Sequence, residues 1–160
     1  MGRAPQLQSV RHRVVTVAPI RLGVGLLGLV AARTAGASSA QALVAFAVGT
    51  LGFAFAALAD PRRRFFAPRQ DPVPAPPGVR FESRFEPAAG AIFPSTVGVA
   101  LLTAVALVPA PTLSALLAGG IAGMGVAAAV SVPRVVAWED RLGGRLWHDR
   151  ATDTLYVRRM

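Results

Sequence analysis

The 160-residue chain has no cysteine, no lysine and no asparagine, and it carries only eight acidic residues and two histidines. Without cysteine it can form no disulfide, thiolate nucleophile or Cys-based metal site, although the absence says little about redox compartment. All 17 basic residues are therefore arginine. The missing lysine and asparagine, beside abundant Ala, Gly, Pro, Val and Arg, match the codon bias of a GC-rich genome such as that of a bacterium. None of the long apolar runs contains Asp, Glu or His, and catalysis or proton coupling inside a membrane would need such groups there. His12 and His148 lie outside the runs, with no second ligand at metal-binding spacing. The residues thus nominate no catalytic group, no cofactor site and no metal site.

What is present is apolar sequence in blocks. The hydrophobic fraction is 53% and the mean hydropathy +0.50. Val14–Arg33, Ser38–Ala59, Ala88–Val108 and Thr112–Val132 are each about 20 residues long, enough at 1.5 Å per residue to cross a ~30 Å hydrocarbon core. The last three show no polar face at helical spacing, as a soluble helix would. The expected fold is an all-α integral membrane protein: a four-transmembrane-helix bundle of two hairpins, a tandem repeat being a candidate, with a small cytosolic β element. Its divisions are a cytosolic N-terminus (1–13), hairpin one (14–59), a cytosolic linker (60–87), hairpin two (88–132) and a cytosolic tail (133–160).

The polar segment Asp60–Pro87 organises this plan. It holds six arginines (Arg62, Arg63, Arg64, Arg69, Arg80 and Arg84), the N-terminal stretch holds three and the tail six, whereas the two opposite turns hold none apart from Arg33 at a helix edge. Arginine excess marks the cytoplasmic side, so both termini and the linker are expected in the cytoplasm and the protein in the inner membrane. The net charge of +9 does not point to nucleic acid, because the arginines sit at the ends of apolar runs.

Along the chain, a basic stretch before the first run also suits a secretory signal, with Ala35-Gly36-Ala37 as a cleavage site, but the run is long for one and contains Arg21. Gly23-Val-Gly25-Leu-Leu-Gly28 spells G-x-G-x-x-G without the strand and acidic residue a dinucleotide site needs, so close helix packing explains it better. Arg21 can snorkel to the interface or hold a buried partner or anionic ligand. With Arg62, Arg63 and Arg64 it forms the candidate contact for an anionic ligand or lipid. Asp71–Gly78 reads as an extended, solvated linker. Val79–Glu86 alternates as a strand, although Phe81 and Phe85 also suit an interfacial helix.

The third helix should carry Pro94 in its second turn. In the fourth, Ala115, Gly119, Gly123, Ala127 and Ser131 form a small-residue row for helix packing, or a chance product of an Ala/Gly-rich chain. Ala118 and Val126 fall off the row and are expected to tolerate bulk. After Pro133 a separate interfacial helix, with Trp138 at headgroup depth, should stop at Gly143. Glu139-Asp140 reads as solvated charge. Arg145–Asp149 and Thr154–Arg158 look like a hairpin, expected to pair with Val79–Glu86.

A shift of 75 residues aligns the first and third helices with seven identities in the thirteen positions from Pro19 to Ala31, which suggests a duplication about an axis along the membrane normal. Three functional readings follow. The first is a small multipass accessory or interaction protein without catalytic chemistry, binding a protein partner, a second copy of itself or anionic membrane lipid at its cytosolic face. The others are a small transporter or channel built from the duplicated hairpin, and an interfacial membrane enzyme acting through Trp138–Asp153.

Overall fold

The computed structural model describes residues 6–59, 72–75, 79–81, 95–149, 152 and 154–159. The described chain is mostly helical, with one small sheet. In order, it runs β1 (Gln6–Ser9), α1 (Val10–Thr34), α2 (Ser39–Ala59), β2 (Val73–Pro74), β3 (Arg80–Phe81), α3 (Ser95–Ala106), α4 (Pro111–Leu142), β4 (Gly144–Asp149) and β5 (Thr154–Arg159). Three helices, α1, α2 and α4, are long and apolar enough to cross a membrane. The third apolar run appears as a 12-residue helix, and residues 88–94, with Pro94, lie outside the described residues.

α4 is the centre of the helical part. Of its most apolar 18-residue stretch 56% is buried, against 17% for α1 and 11% for α2. The reason is size: within the apolar run its inward positions are Ala, Gly and Ser apart from Ile121, so the other helices reach its backbone. α1 packs on it antiparallel, with Gly25 and Gly28 facing Ala122 and Ala118, while Gly125 faces Leu22. α2 packs on it parallel, Phe46 meeting Gly119 and Thr50 meeting Gly123. Ser114 donates to the Thr103 carbonyl at 2.9 Å, tying α3 to the same helix. The first hairpin expected from sequence is not a packing unit, whereas the described part of α3 packs chiefly on α4, its partner in the second. α1 and α2 are joined by a short turn with Gly36 at φ 108°, yet each packs far more on α4 than on the other.

Positions 75 apart do meet. Arg21 donates to Thr96, and Gly28 lies near the Thr103 methyl, so α1 and α3 run parallel with aligned positions in contact. Among the described residues the rest of a two-fold plan is not seen, because α1 packs extensively on α4 whereas α2 and α3 hardly touch.

The outward residues are large and apolar. Leu27, Leu51, Phe55, Val105 and Val108 are each more than 70% exposed, the expected result when the surroundings are lipid. Both turns lie at one end, where Ala32, Ala42 and Ala115 cluster with Ala37 and Leu107. The sheet lies at the other, since β1 feeds α1 and β4 leaves α4.

Two boundaries differ from expectation. α1 starts at Val10, four residues before the apolar run, because Ser9 caps it by accepting from the His12 amide at 3.3 Å. α4 continues through Pro133 to Leu142, replacing the separate interfacial helix. Proline removes one backbone donor, but packing of Val135, Trp138 and Leu142 around Val10 and Leu146 holds the next two turns in line. Spaced i, i+3 and i+7, these form a helical face. At 32 residues α4 is about 48 Å long, so its final turns extend beyond a ~30 Å core. Gly143, at φ 60°, ends it in the left-handed conformation.

Candidate functional site

Three separated stretches of chain meet in one five-stranded sheet, ordered β2-β5-β4-β1-β3. β4 and β5 form the hairpin legible in the sequence, paired from Gly144–Arg159 to Asp149–Thr154. The Asp149 carboxylate accepts from the Thr152 hydroxyl at 2.9 Å across the connection. Arg80–Phe81 joins the sheet but does not pair with this hairpin. β1 lies between them, parallel to β3 and antiparallel to β4. The remainder of Val79–Glu86 beyond Phe81 lies outside the described residues. Val73–Pro74, expected in a solvated linker, pairs parallel with β5 as the edge strand, a position that tolerates proline because its missing donor is not needed there.

The signal for β1 was slight. Gln6-Leu7-Gln8-Ser9 has one apolar residue and reads as a polar lead-in, yet Leu7 is fully buried and Gln8 nearly so. The alternation around Leu7 is the only local cue, and it is too short to read without the partner strands.

Glu139 departs furthest from its sequence reading. It is 94% buried, not solvated. One carboxylate oxygen accepts the Leu146 amide at 3.0 Å, and the other lies 3.9 Å from the half-exposed Arg11 guanidinium. One side chain thus joins α4, β4 and α1. A carboxylate one turn from a helix C-terminus opposes the helix dipole. The charge-assisted bond from Leu146 and the nearby arginine offset that cost. Val10, Val135 and Leu146 make the apolar layer beside it, with Trp138, Leu142 and Leu155 packed on. Trp138 therefore faces this layer.

Of the candidate anion contacts, Arg62, Arg63 and Arg64 lie outside the described residues. Arg21 reaches across to α3, its Nε donating to Thr96 Oγ1 at 2.9 Å and one terminal nitrogen lying 3.5 Å from Ser95 Oγ. Thr96 is buried, so Arg21 holds a protein partner and not merely the interface. The packing row lies inward: Ala115, Gly119, Gly123, Ala127 and Ser131 are all buried. Ala118, expected to tolerate bulk, is fully buried as well and meets Gly28, because α4 is lined on more than one side. Val126 is half-buried. In the G-x-G-x-x-G stretch Gly25 and Gly28 pack on α4, while Gly23 faces open space.

Among the described residues no three His, Asp or Glu side chains converge as a metal site requires. A cavity of about 560 Å³ lies at the sheet edge, lined by Pro72, Pro74, Ala75, Leu142, Val157 and Arg158. No protein-family model, curated protein or solved structure matches the chain.

Proposed function

We propose that the chain is a small multipass protein of a bacterial inner membrane, crossing it four times, and that it acts as an accessory protein through its sheet-bearing end. In this reading the apolar run Ala88–Val108 supplies the remaining crossing. Both termini and the linker are cytoplasmic, and the sheet end binds a protein partner or anionic lipid. The observation that carries the reading is the single sheet drawn from the N-terminal stretch, the linker and the tail. These three stretches hold nearly all the arginines, and arginine excess is the mark of the cytoplasmic side. A chain that ties three otherwise separate polar stretches into one ordered surface is suited to binding there.

The transporter reading has less support. A path along a repeat axis needs the four helices to surround that axis, whereas α4 fills the centre with small residues in backbone contact with its neighbours. The reading as an accessory protein without catalytic chemistry rests on the lack of Asp, Glu and His in the apolar runs. Reporter fusions test the orientation. A C-terminal GFP fusion should fluoresce and a C-terminal alkaline phosphatase fusion should be inactive, with the pattern reversed for fusions in the turn at 107–110. An active C-terminal phosphatase with a dark GFP would overturn the assignment.

A further inference from the structure

The helix contacts fix the level at which the apolar runs end. α1 sets Gly25 against Ala122 and Leu22 against Gly125 of α4, an antiparallel register that brings Val14, the start of the first run, level with Pro133. α2 sets Phe46 against Gly119 and Thr50 against Gly123, a parallel register that brings Ala59, its last residue, level with Val132. Three runs therefore stop at one level, and that level is the border of the hydrocarbon. α4 crosses it as unbroken helix and continues to Leu142. Helical spacing puts Val130, Arg134, Trp138 and Arg141 on one line of α4. Val130, inside the run, is 43% exposed. Arg134 and Arg141 are exposed and Trp138 is half-buried. Among the described residues neither arginine makes a hydrogen bond or ion pair.

Side chains lean toward the N-terminus of their helix. For α4 that end lies across the membrane, so both arginines reach back toward the hydrocarbon border. Arg134 stands about 3 Å beyond Val132 along the helix and Arg141 about 13 Å. The headgroup layer is roughly 5–7 Å thick, which puts Arg134 within it and Arg141 at its outer side. Asp140, also exposed, lowers the positive charge beside Arg141 but is well removed from Arg134. We propose that this line of α4 binds an anionic phospholipid. The Arg134 guanidinium holds the phosphate through paired N–H donors, an acyl chain lies along Val130, and Arg141 adds a weaker attraction from outside. The site deepens the accessory reading above, on whose membrane placement it rests, by naming lipid as what the sheet-bearing end holds.

The test is native mass spectrometry of the full chain, released from detergent micelles carrying phosphatidylglycerol or phosphatidylcholine. The wild-type chain should hold phosphatidylglycerol the more tightly. Arg134→Gln should weaken that binding about 5-fold, the effect of one charge near the surface, and Arg134→Lys should retain most of it. Arg141→Gln should cost under about 2-fold, because attraction fades within a Debye length. Arg145→Gln, exposed on β4 beyond the end of α4, should change nothing. All are surface substitutions, and an unchanged unfolding temperature shows that each variant is folded. Equal retention of the two lipids would overturn recognition of the anionic headgroup and leave this line to a protein partner. A loss for Arg145→Gln as large as that for Arg134→Gln would overturn the site and reduce it to general charge. Binding from detergent is independent of which side faces the cytoplasm, so this test and the fusion reporters can fail separately.

Discussion

Replacing Gly119 by alanine tests the central role of α4 with a single methyl group. A Cβ at Gly119 would run into the Phe46 carbonyl oxygen of α2, and it would lie 2.9 Å from the Phe46 carbonyl carbon and 3.0 Å from its Cα. All three are backbone atoms, so no side-chain rotation makes room and α2 itself must shift. Overpacking of this kind costs about 1–3 kcal/mol, while glycine-to-alanine in a helix interior gains about 0.5–1 kcal/mol. The cost is the larger, and Gly119→Ala should destabilise by about 1–2 kcal/mol. Gly49→Ala should behave alike, because its Cβ would meet the Leu116 carbonyl oxygen of α4. Gly52→Ala is the matched control: it lies one turn along α2 with nothing within 4 Å, so only the helix gain applies. Thermal unfolding of the purified variants in one detergent reads the difference. If Gly119→Ala and Gly52→Ala unfold together, the close α2–α4 contact does not exist in the folded protein and α4 is not its core.

Further outcomes follow from the same contacts. Ala118→Leu should lower the unfolding temperature as much as Gly119→Leu, whereas Val126→Leu should be mild, since Ala118 faces Gly28 at 2.7 Å from that residue's ideal Cβ position and Val126 is half-buried. Glu139→Gln keeps an acceptor for the Leu146 amide and should cost under about 1 kcal/mol, because the Arg11 partner is half-exposed. Glu139→Leu strands that buried amide and should cost about 1–3 kcal/mol; hydrogen exchange at Leu146 distinguishes the two, and equal protection would remove the carboxylate from the account. Leu7→Asp should speed exchange in Arg80–Phe81 and in β4 together, because β1 joins them. Unchanged exchange in either strand would argue against the observed strand order.

The apolar runs were legible because their cause is local: about twenty consecutive apolar residues suit the hydrocarbon core whatever lies beside them. The β4–β5 hairpin and the Gly143 stop were legible for the same reason, through alternation and a left-handed cap. Misreadings came where a residue's state depends on what arrives from elsewhere in the chain. Pro133 looks like a helix end, but Val135, Trp138 and Leu142 find a partner layer at Val10 and Leu146 that keeps α4 going. Glu139 looks like surface charge among arginines, and it is buried because β4 presents an amide to it.

Sequence alone determined which stretches are apolar and long enough to cross a membrane, and which polar stretches share an end of the molecule, because hydropathy and charge act residue by residue. Tertiary structure alone decided that α4 is the core against which α1, α2 and α3 all pack, and that Gln6–Ser9 is the strand between the tail and the linker. The physical reason is that lipid gives apolar helices no hydrophobic drive to choose among neighbours. The choice falls to backbone approach at Gly49, Gly119 and Gly123, and to hydrogen bonds between strands, both of which need partners far away in the chain.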